Sequence, residues 1–517
     1  MPMLHNMEKA VRYDRHLAAI ILLSLAYFSC WIYYCYISYA TFNAYYYDLG
    51  IYSNDIYWHL HYAPNVLSLQ YLVFYNHLSP FSLLLLPLFA LYQSPMTLVA
   101  IQDMFLAATA VVVYLVATSI TKSRTFGLAM AIVFLANPGT VGLALGYIHI
   151  EAFMPLLYML TFYSFIKGRV GLFITSYVLL LALVETSPIV GLFLLFGLLY
   201  YETRYASKKD FGEHRLHKTR TRLIIAGIAL SIAALLLYGL ASSVIISSYA
   251  GTSSLAAPPI LRLTNYLQGQ AYALSNPGAV QYVPAALSYG VIGLFVVFLG
   301  FGLSGLVDPV FALVMCLPWI AEVFLIRNAL FAYPPLQYYG YAILGGSLVA
   351  AILGYRIVAV RGNMLLDILK ADRRIAQNVV SMSALSLGIF LSIMVFILSQ
   401  YSLSLQPSQQ YAGINGALAS LIPSNSTVLA QGHIAPHLFY VKYLELSAQD
   451  SPAYFESINR TLYWAIPDYV VADSRLPGYS YLVNSTPSGP AFNVPAISIK
   501  NYTQIYNSSG LHIWKRD

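Results

Sequence analysis

Charged residues are scarce in this sequence: they make up 9% of the 517 residues, whereas 59% are hydrophobic. The mean hydropathy is +0.66. Because a soluble protein could not cover its surface with so few charges, this composition excludes a water-soluble globular chain. It indicates a polytopic membrane protein instead.

Cysteine and nucleotide-binding motifs are scarce as well. Cys30, Cys35 and Cys316 all lie inside apolar runs, which excludes a disulfide framework and a cysteine-based zinc site. The chain has no Walker loop, so nucleotide-driven pumping is not expected. The net charge of +7 comes from basic residues between apolar runs, which membrane topology explains, and no nucleic-acid partner is expected.

Long apolar runs dominate what is present. The first run, from about Leu17 to Ala40, is long enough to cross a bilayer and lacks the cleavage site of a signal peptide. From the apolar runs further along the chain we predict about eleven membrane-spanning helices, at residues 17–40, 96–120, 126–147, 152–166, 170–185, 187–201, 223–249, 285–305, 309–326, 337–355 and 376–400. The shorter run 80–92 is predicted to be interfacial.

The distribution of basic residues predicts the orientation. Arg12 and Arg15 precede the first span, which places the N-terminus in the cytosol. Before residue 401, only Arg262 and Arg327 fall in predicted outer loops. An odd number of spans places the C-terminal tail outside, and all Asn-x-Ser/Thr sequons of the chain lie in that tail.

These patterns predict a chain of three regions. Residues 1–16 are a cytosolic tail, and residues 17–400 are an all-α transmembrane bundle whose outer loop 41–78 contains an interfacial helix. Residues 401–517 are a small extracytoplasmic α/β domain, because the hydropathy falls there and short β-like runs appear at Thr427–Ala430 and Tyr469–Ala472. The expected location is the cell membrane, with multiple passes.

The segment Tyr47-Asp48-Leu49-Gly50-Ile51 directly follows the first span and places a carboxylate at the membrane surface. There a lipid-linked substrate could meet Asp48, and partial desolvation would make it a better base. The alternative is that Asp48 caps a helix that starts near Ile51.

Several motifs resemble the membrane-protein family known as domain of unknown function 2079. They are Tyr47–Ile51, His77-Leu78-Ser79-Pro80, His149-Ile150-Glu151, Val184-Glu185-Thr186, Ala430-Gln431, Ala435-Pro436-His437-Leu438 and Asp468-Tyr469-Val470-Val471. Ile150 replaces the proline of the family's His-Pro-Glu, and only the glutamate of its Lys-Glu-Asp is kept, as Glu185. The resemblance covers nearly the whole chain. It implies a GT-C-like fold and, by analogy, transfer of a sugar from a polyprenyl-phosphate carrier.

Such a transfer needs a base for the nucleophile's proton and a group that stabilises the departing phosphate. We expect Asp48, His77 and Glu151 to be catalytic. The expected substrate-binding residues are His149, Glu185, Arg327, as a clamp for the carrier phosphate, and Gln337. His149, Glu151 and Asp48 offer nitrogen and oxygen ligands for a divalent metal, whose presence the sequence leaves open.

Two other classes of function stay open. A transporter or flippase of a lipid-linked or small polar substrate would have ionisable residues near the midplane and an internal repeat, whereas here those residues favour the outer edge and no repeat is evident. A non-catalytic membrane scaffold would tolerate replacement of Asp48. The expected partners are the bilayer and a polyprenyl-phosphate-linked sugar; the sugar and the acceptor are not specified by the sequence.

Overall fold

The computed structural model of the chain falls into two compact units. The helical unit comprises residues 1–31, 102–237 and 267–401, and the mixed unit comprises residues 32–101, 238–266 and 402–517. The structure describes residues 14–42, 47–62, 73–74, 77–145, 148–206, 211–249, 297–299, 301, 304–325, 341–361, 412–447, 467–476, 479–486, 489–492, 499–508 and 510–517.

Helices form most of the described chain, as the sequence predicts. They are α1 (Arg15–Ala40), α2 (Tyr47–His61), α3 (Leu85–Leu91), α4 (Pro95–Thr121), α5 (Arg124–Leu135), α6 (Pro138–Leu145), α7 (Met154–Lys167), α8 (Val170–Leu181), α9 (Ser187–Arg204), α10 (Phe211–Tyr249), α11 (Pro309–Leu325), α12 (Tyr341–Arg361), α13 (Ala412–Leu421) and α14 (Tyr479–Leu482). Short 3-10 turns precede α3, at Pro80–Leu84, and α7, at Ile150–Phe153.

Three helices in the described part of the chain are long and apolar enough to cross a membrane: α1, α4 and residues Leu216–Ala241 of α10. The pair α5 and α6 makes a fourth if it is counted as one bent span. Shorter apolar helices, among them α8, lie near other predicted spans. The span predicted at 376–400 lies outside the described residues, so the number of about eleven stays a prediction.

The run predicted as one span at 126–147 is broken in the structure. Helices α5 and α6 are bent by 46° at the break. The reason is local, because Pro138 starts the second helix and the Asn137 side chain occupies the gap, its Oδ1 accepting a hydrogen bond from Gly139 N at 2.9 Å. Asn137 Nδ2 also donates to the carbonyl of Val297 at 3.2 Å. The bend is therefore held by hydrogen bonds.

Glycines let helices of the helical unit pack closely. A Cβ added at Gly346 of α12 would lie 2.4 Å from the carbonyl oxygen of Met315 in α11. A Cβ at Gly345 would lie 2.6 Å from the ring of Tyr158 in α7. Small residues at such contacts are typical of helices that associate within a membrane.

A buried ion pair joins three helices at the end of this unit that is predicted to be cytosolic. Glu202 of α9 is 3% exposed and accepts from Arg220 Nη1 at 3.2 Å and from His217 Nδ1 at 2.6 Å. Arg220 also donates to the carbonyls of Phe165 and Ile166, which are among the last in α7. One guanidinium thus neutralises a buried carboxylate and satisfies a helix C-terminus.

The mixed unit contains a five-stranded sheet near the C-terminus. Its strands are β3 (Thr427–Gln431), β4 (Tyr443–Ser447), β5 (Tyr469–Asp473), β8 (Tyr502–Ser508) and β9 (Leu511–Arg516), in the spatial order β4-β3-β5-β9-β8. Two separate two-stranded sheets are formed by β1 (Val73–Phe74) with β2 (His77–Leu78) and by β6 (Val483–Thr486) with β7 (Gly489–Phe492). Strands β4, β3 and β5 are parallel, whereas β9 and β8 are antiparallel. A small C-terminal sheet is therefore confirmed.

The two predicted β-like runs correspond to β3 and β5, which are buried along their whole length. Strands covered on both faces read as continuous apolar runs, which is why the sequence revealed them. The division of the chain at residues 16 and 400, and the sides of the membrane on which its ends lie, stay predictions.

Candidate functional site

Asp48 lies in the first turn of α2, which begins at Tyr47. The helix thus starts before the position near Ile51 that the capping alternative requires. A carboxylate in a first turn is favoured by the positive end of the helix dipole. The Asp48 side chain lies outside what the structure describes.

The turn of α2 that follows Asp48 is fixed to the C-terminal sheet region of the mixed unit. A Cβ added at Gly50 would lie 2.9 Å from the carbonyl carbon of Ala435, so only glycine allows this approach. Asn54 Nδ2 donates to the carbonyls of Phe439 at 2.9 Å and Val441 at 2.6 Å. We call these contacts of Gly50 and Asn54 with residues 435–441 the α2 clamp.

Two histidines attach the same region to the end of α1. The ring of His437 stacks on those of Tyr39 and Phe42, with centroids 4.2 and 3.9 Å apart. Its Nε2 lies 3.1 Å from the Tyr39 carbonyl, and His433 Nδ1 lies 2.9 Å from the Phe42 carbonyl. Because a carbonyl only accepts, each of these ring nitrogens carries the proton.

Burial favours the neutral form of both histidines. Burial lowers the pKa of His437 to about 3, although its hydrogen bond to the Tyr39 carbonyl acts in the opposite direction. Burial also lowers the pKa of His433, against the effect of its bond to Phe42. The Ala435–Leu438 motif therefore has a packing role, which the sequence did not reveal.

His77 lies in β2 of the mixed unit, opposite Phe74 in an antiparallel pair. Its side chain, like that of Asp48, is not described. The backbone places it just before the 3-10 turn that leads into α3. Leu84, Leu88 and Leu91 are exposed along this turn and helix, in keeping with the predicted interfacial position of residues 80–92.

His149 and Glu151 lie in the helical unit, at the entrance to α7, and both are buried. The backbone N–H of His149 donates to Gln102 Oε1 at 2.8 Å, and Gln102 Nε2 donates to the carbonyl of Leu143 at 3.1 Å. Gln102 of α4 thus ties the His149–Glu151 segment to the end of α6. Gln102 is the first functional candidate that sequence reasoning missed.

Asp103, the next residue of α4, is the second functional candidate that sequence reasoning missed. It is 0% exposed, and neither carboxylate oxygen has a hydrogen-bond partner in the described part of the chain. A signal was available, since Asp103 is the sole acidic residue in the apolar run 96–120. An ionisable residue inside a span is a functional candidate by default.

Glu185 lies in the turn between α8 and α9 and is partly exposed. The turn is closed by Ser187 Oγ, which accepts from Val184 N at 3.2 Å. Arg327 and Gln337 lie outside the described residues.

The predicted site residues are therefore divided between the two units. Asp48 and His77 belong to the mixed unit, and His149, Glu151 and Glu185 to the helical unit. Their assembly into one site stays a prediction. Among the described residues, no three His, Cys, Asp or Glu side chains are grouped so that they could hold a metal ion.

Comparison with known families agrees with the motifs. The family described as "Predicted membrane protein (DUF2079)" matches residues 38–513. The chain belongs to this family. No match to this DUF2079 protein was found among curated protein sequences.

Among solved structures, the DUF2079 protein is similar to a crystal structure of ArnT from Cupriavidus metallidurans bound to undecaprenyl phosphate. The two chains are 10% identical, and the match covers 96% of this chain and 97% of that one, with a TM-score of 0.42.

Proposed function

We propose that this DUF2079 protein is a membrane glycosyltransferase that moves a sugar from a polyprenyl-phosphate carrier to an acceptor at the outer face of the membrane. The observation that supports the proposal most is the position of Asp48. It lies in the first turn of a helix that follows a membrane-length helix, and the next turns are held by the α2 clamp. A carboxylate on a fixed helix beside a folded domain is suited to act as a base.

In the proposed reaction, an acceptor hydroxyl attacks the anomeric carbon of the sugar. The new carbon–oxygen bond forms as the bond to the phosphate breaks, and the polyprenyl phosphate leaves with the electron pair. Asp48 takes the hydroxyl proton, which makes the acceptor oxygen a stronger nucleophile. The phosphate needs positive charge, for which Arg327 is the proposed source.

The other proposed roles follow the chemistry of each residue. His77 and Glu151 would assist proton transfer, and His149, Glu185 and Gln337 would bind sugar hydroxyls or phosphate oxygens. We also propose that the C-terminal domain lies outside the cell and contacts the acceptor. Lys122, Arg124, Lys167 and Arg169, which lie at helix ends, support this orientation, because cytosolic loops carry an excess of basic residues.

The test is transfer of radiolabelled sugar by purified protein in lipid nanodiscs, with a panel of polyprenyl-phosphate donors. The Asp48→Asn variant is compared with Asp55→Asn, which makes the same change of charge elsewhere on α2. Loss of a general base is expected to lower kcat by about 10²- to 10⁴-fold. Asp55→Asn should keep the native rate. Equal activity of the native and Asp48→Asn proteins would exclude Asp48 as the base, whereas inactivity of both with every donor would favour the transporter or the scaffold.

One observation favours transport as a second candidate function. The bent pair α5 and α6 and the buried residues Asp103 and Glu151 lie in the helical unit, and transporters use broken helices and intramembrane carboxylates at their substrate sites. Uptake of labelled lipid-linked sugar into proteoliposomes, without transfer to any acceptor, would support this alternative.

A further inference from the structure

Nothing in the described surroundings of Asp103 explains why a carboxyl group lies there. It is completely buried, and in the described part of the chain neither of its oxygens has a hydrogen-bond partner. Burying a polar group without a partner costs roughly 1–3 kcal/mol, and an ionised one more, so an apolar residue would stabilise this position better. The acid is therefore expected to meet a group that the described residues do not supply.

A second buried polar side chain without a described hydrogen-bond partner lies in α6, the helix that Gln102 joins to α4. Thr140 of α6 is also completely buried, and its Oγ1 has no hydrogen-bond partner among the described residues. Thr140 lies one helical turn before Leu143, whose carbonyl receives the hydrogen bond from Gln102. Two unsatisfied side chains thus lie on two helices that Gln102 joins.

The neighbours of Asp103 in α4 show which face of that helix contacts α6 and residues 149–153. Both ends of the Gln102 amide are occupied, by His149 N and the Leu143 carbonyl, so Gln102 positions the helices rather than a ligand. Phe105 packs edge-on against Phe153, with ring centroids 4.7 Å apart. Residues 149–153 are therefore attached to the face of α4 that carries Gln102 and Phe105. The Asp103 side chain leaves the helix about 100° further round.

That neighbouring face of α4 is lined by apolar residues. Ala107 and Ala110 follow Asp103 at spacings of four and seven, and both are buried. Val99 and Leu106 flank Asp103 four residues before and three residues after it and are buried as well, so the side chains of this face offer the carboxyl group no hydrogen bond. The position lies about 12 Å along the helix from Pro95, at 1.5 Å per residue, well inside a membrane-length helix.

The chemistry of the two groups selects the ligand. A carboxylate accepts hydrogen bonds from hydroxyl groups, and a threonine hydroxyl both donates and accepts. We propose that Asp103 and Thr140 bind the hydroxyl groups of a sugar carried by the lipid-linked substrate. This rests on the proposed function, of which it specifies a sugar subsite.

The experiment measures binding, independently of turnover. Thermal unfolding of the purified protein is followed with undecaprenyl phosphate alone and with the same carrier bearing glucose, mannose or arabinose. The native protein should be stabilised more by at least one sugar-bearing carrier than by the bare carrier. Asp103→Asn should weaken this sugar-dependent affinity by roughly 10- to 100-fold, since a hydrogen bond to a charged group is lost. Affinity for the bare carrier should not change.

Thr140→Val should weaken the sugar-dependent affinity in the same way. Its matched control is Thr109→Val, since Thr109 is equally buried in α4 but donates to the Phe105 carbonyl at 2.8 Å. The proposal is overturned if no sugar adds stability in the native protein, or if Asp103→Asn lowers stability without ligand and leaves the sugar increment intact. A native protein that shows the increment but transfers no sugar would contradict the glycosyltransferase proposal alone.

Discussion

The α2 clamp makes a quantitative prediction about how Asp48 is held. Asn54→Leu keeps the branched shape of the side chain and removes the donor shared by the carbonyls of Phe439 and Val441. Each hydrogen bond contributes about 1 kcal/mol net, and the carbonyls left buried add a desolvation cost, so the change should weaken the clamp by about 2–4 kcal/mol.

Hydrogen exchange of the α2 backbone measures this loss. Amides of residues 47–61 should exchange about 30-fold faster or more in Asn54→Leu, because local opening follows the free energy of the contacts that oppose it. The matched control is Tyr62→Phe, which removes an exposed hydrogen bond to the Ser424 carbonyl and should change exchange little. If α2 stays as protected in Asn54→Leu as in the control, the clamp does not fix this helix and the argument for a positioned Asp48 fails.

Two further predictions concern stability. Below pH 6.5 His437 is protonated in the unfolded chain, whereas in the folded chain it stays neutral down to about pH 3. The free energy of unfolding should therefore fall by about 1.4 kcal/mol for each pH unit in that window. Urea unfolding at pH 7 and pH 5 checks this, and a His437→Gln variant with the same pH slope as the native protein would contradict it. Arg220→Met should lower stability by about 3–5 kcal/mol because it leaves Glu202 buried without its guanidinium. Melting temperatures in detergent test this, and the double variant with Glu202→Gln should recover part of the loss; an additive effect would show that the two residues are uncoupled.

Local patterns in the sequence predicted much of the fold. The apolar run from Leu17 to Ala40 is covered by α1, and the β-like runs correspond to β3 and β5, because both signals are set by side chains close in sequence. The strand order β4-β3-β5-β9-β8 could not be read in this way. It depends on pairings between strands that are far apart in the chain.

The candidate site was less accessible to sequence reasoning. Asp103 has a visible signal, because it is a lone acid in an apolar run, but the predicted site residues lie at the ends of predicted spans and Asp103 lies inside one. The Asn137-Pro138 pair also marks a break, since such dipeptides favour turns, yet the run around it was predicted as one span. The packing role of His437 had no local signal, because its partners Tyr39 and Phe42 lie at the other end of the sequence.

The α2 clamp also constrains how the protein is made. Asn54 and its carbonyl partner at Phe439 are separated by 385 residues. At roughly 5–20 residues per second, a ribosome needs about 20 to 80 s to synthesise that interval. Throughout this time the helix that carries Asp48 exists without the surface that fixes it, while the apolar helices between them enter the membrane. The helix that carries Asp48 and the C-terminal sheet region must therefore mature together, after the helices between them have been synthesised.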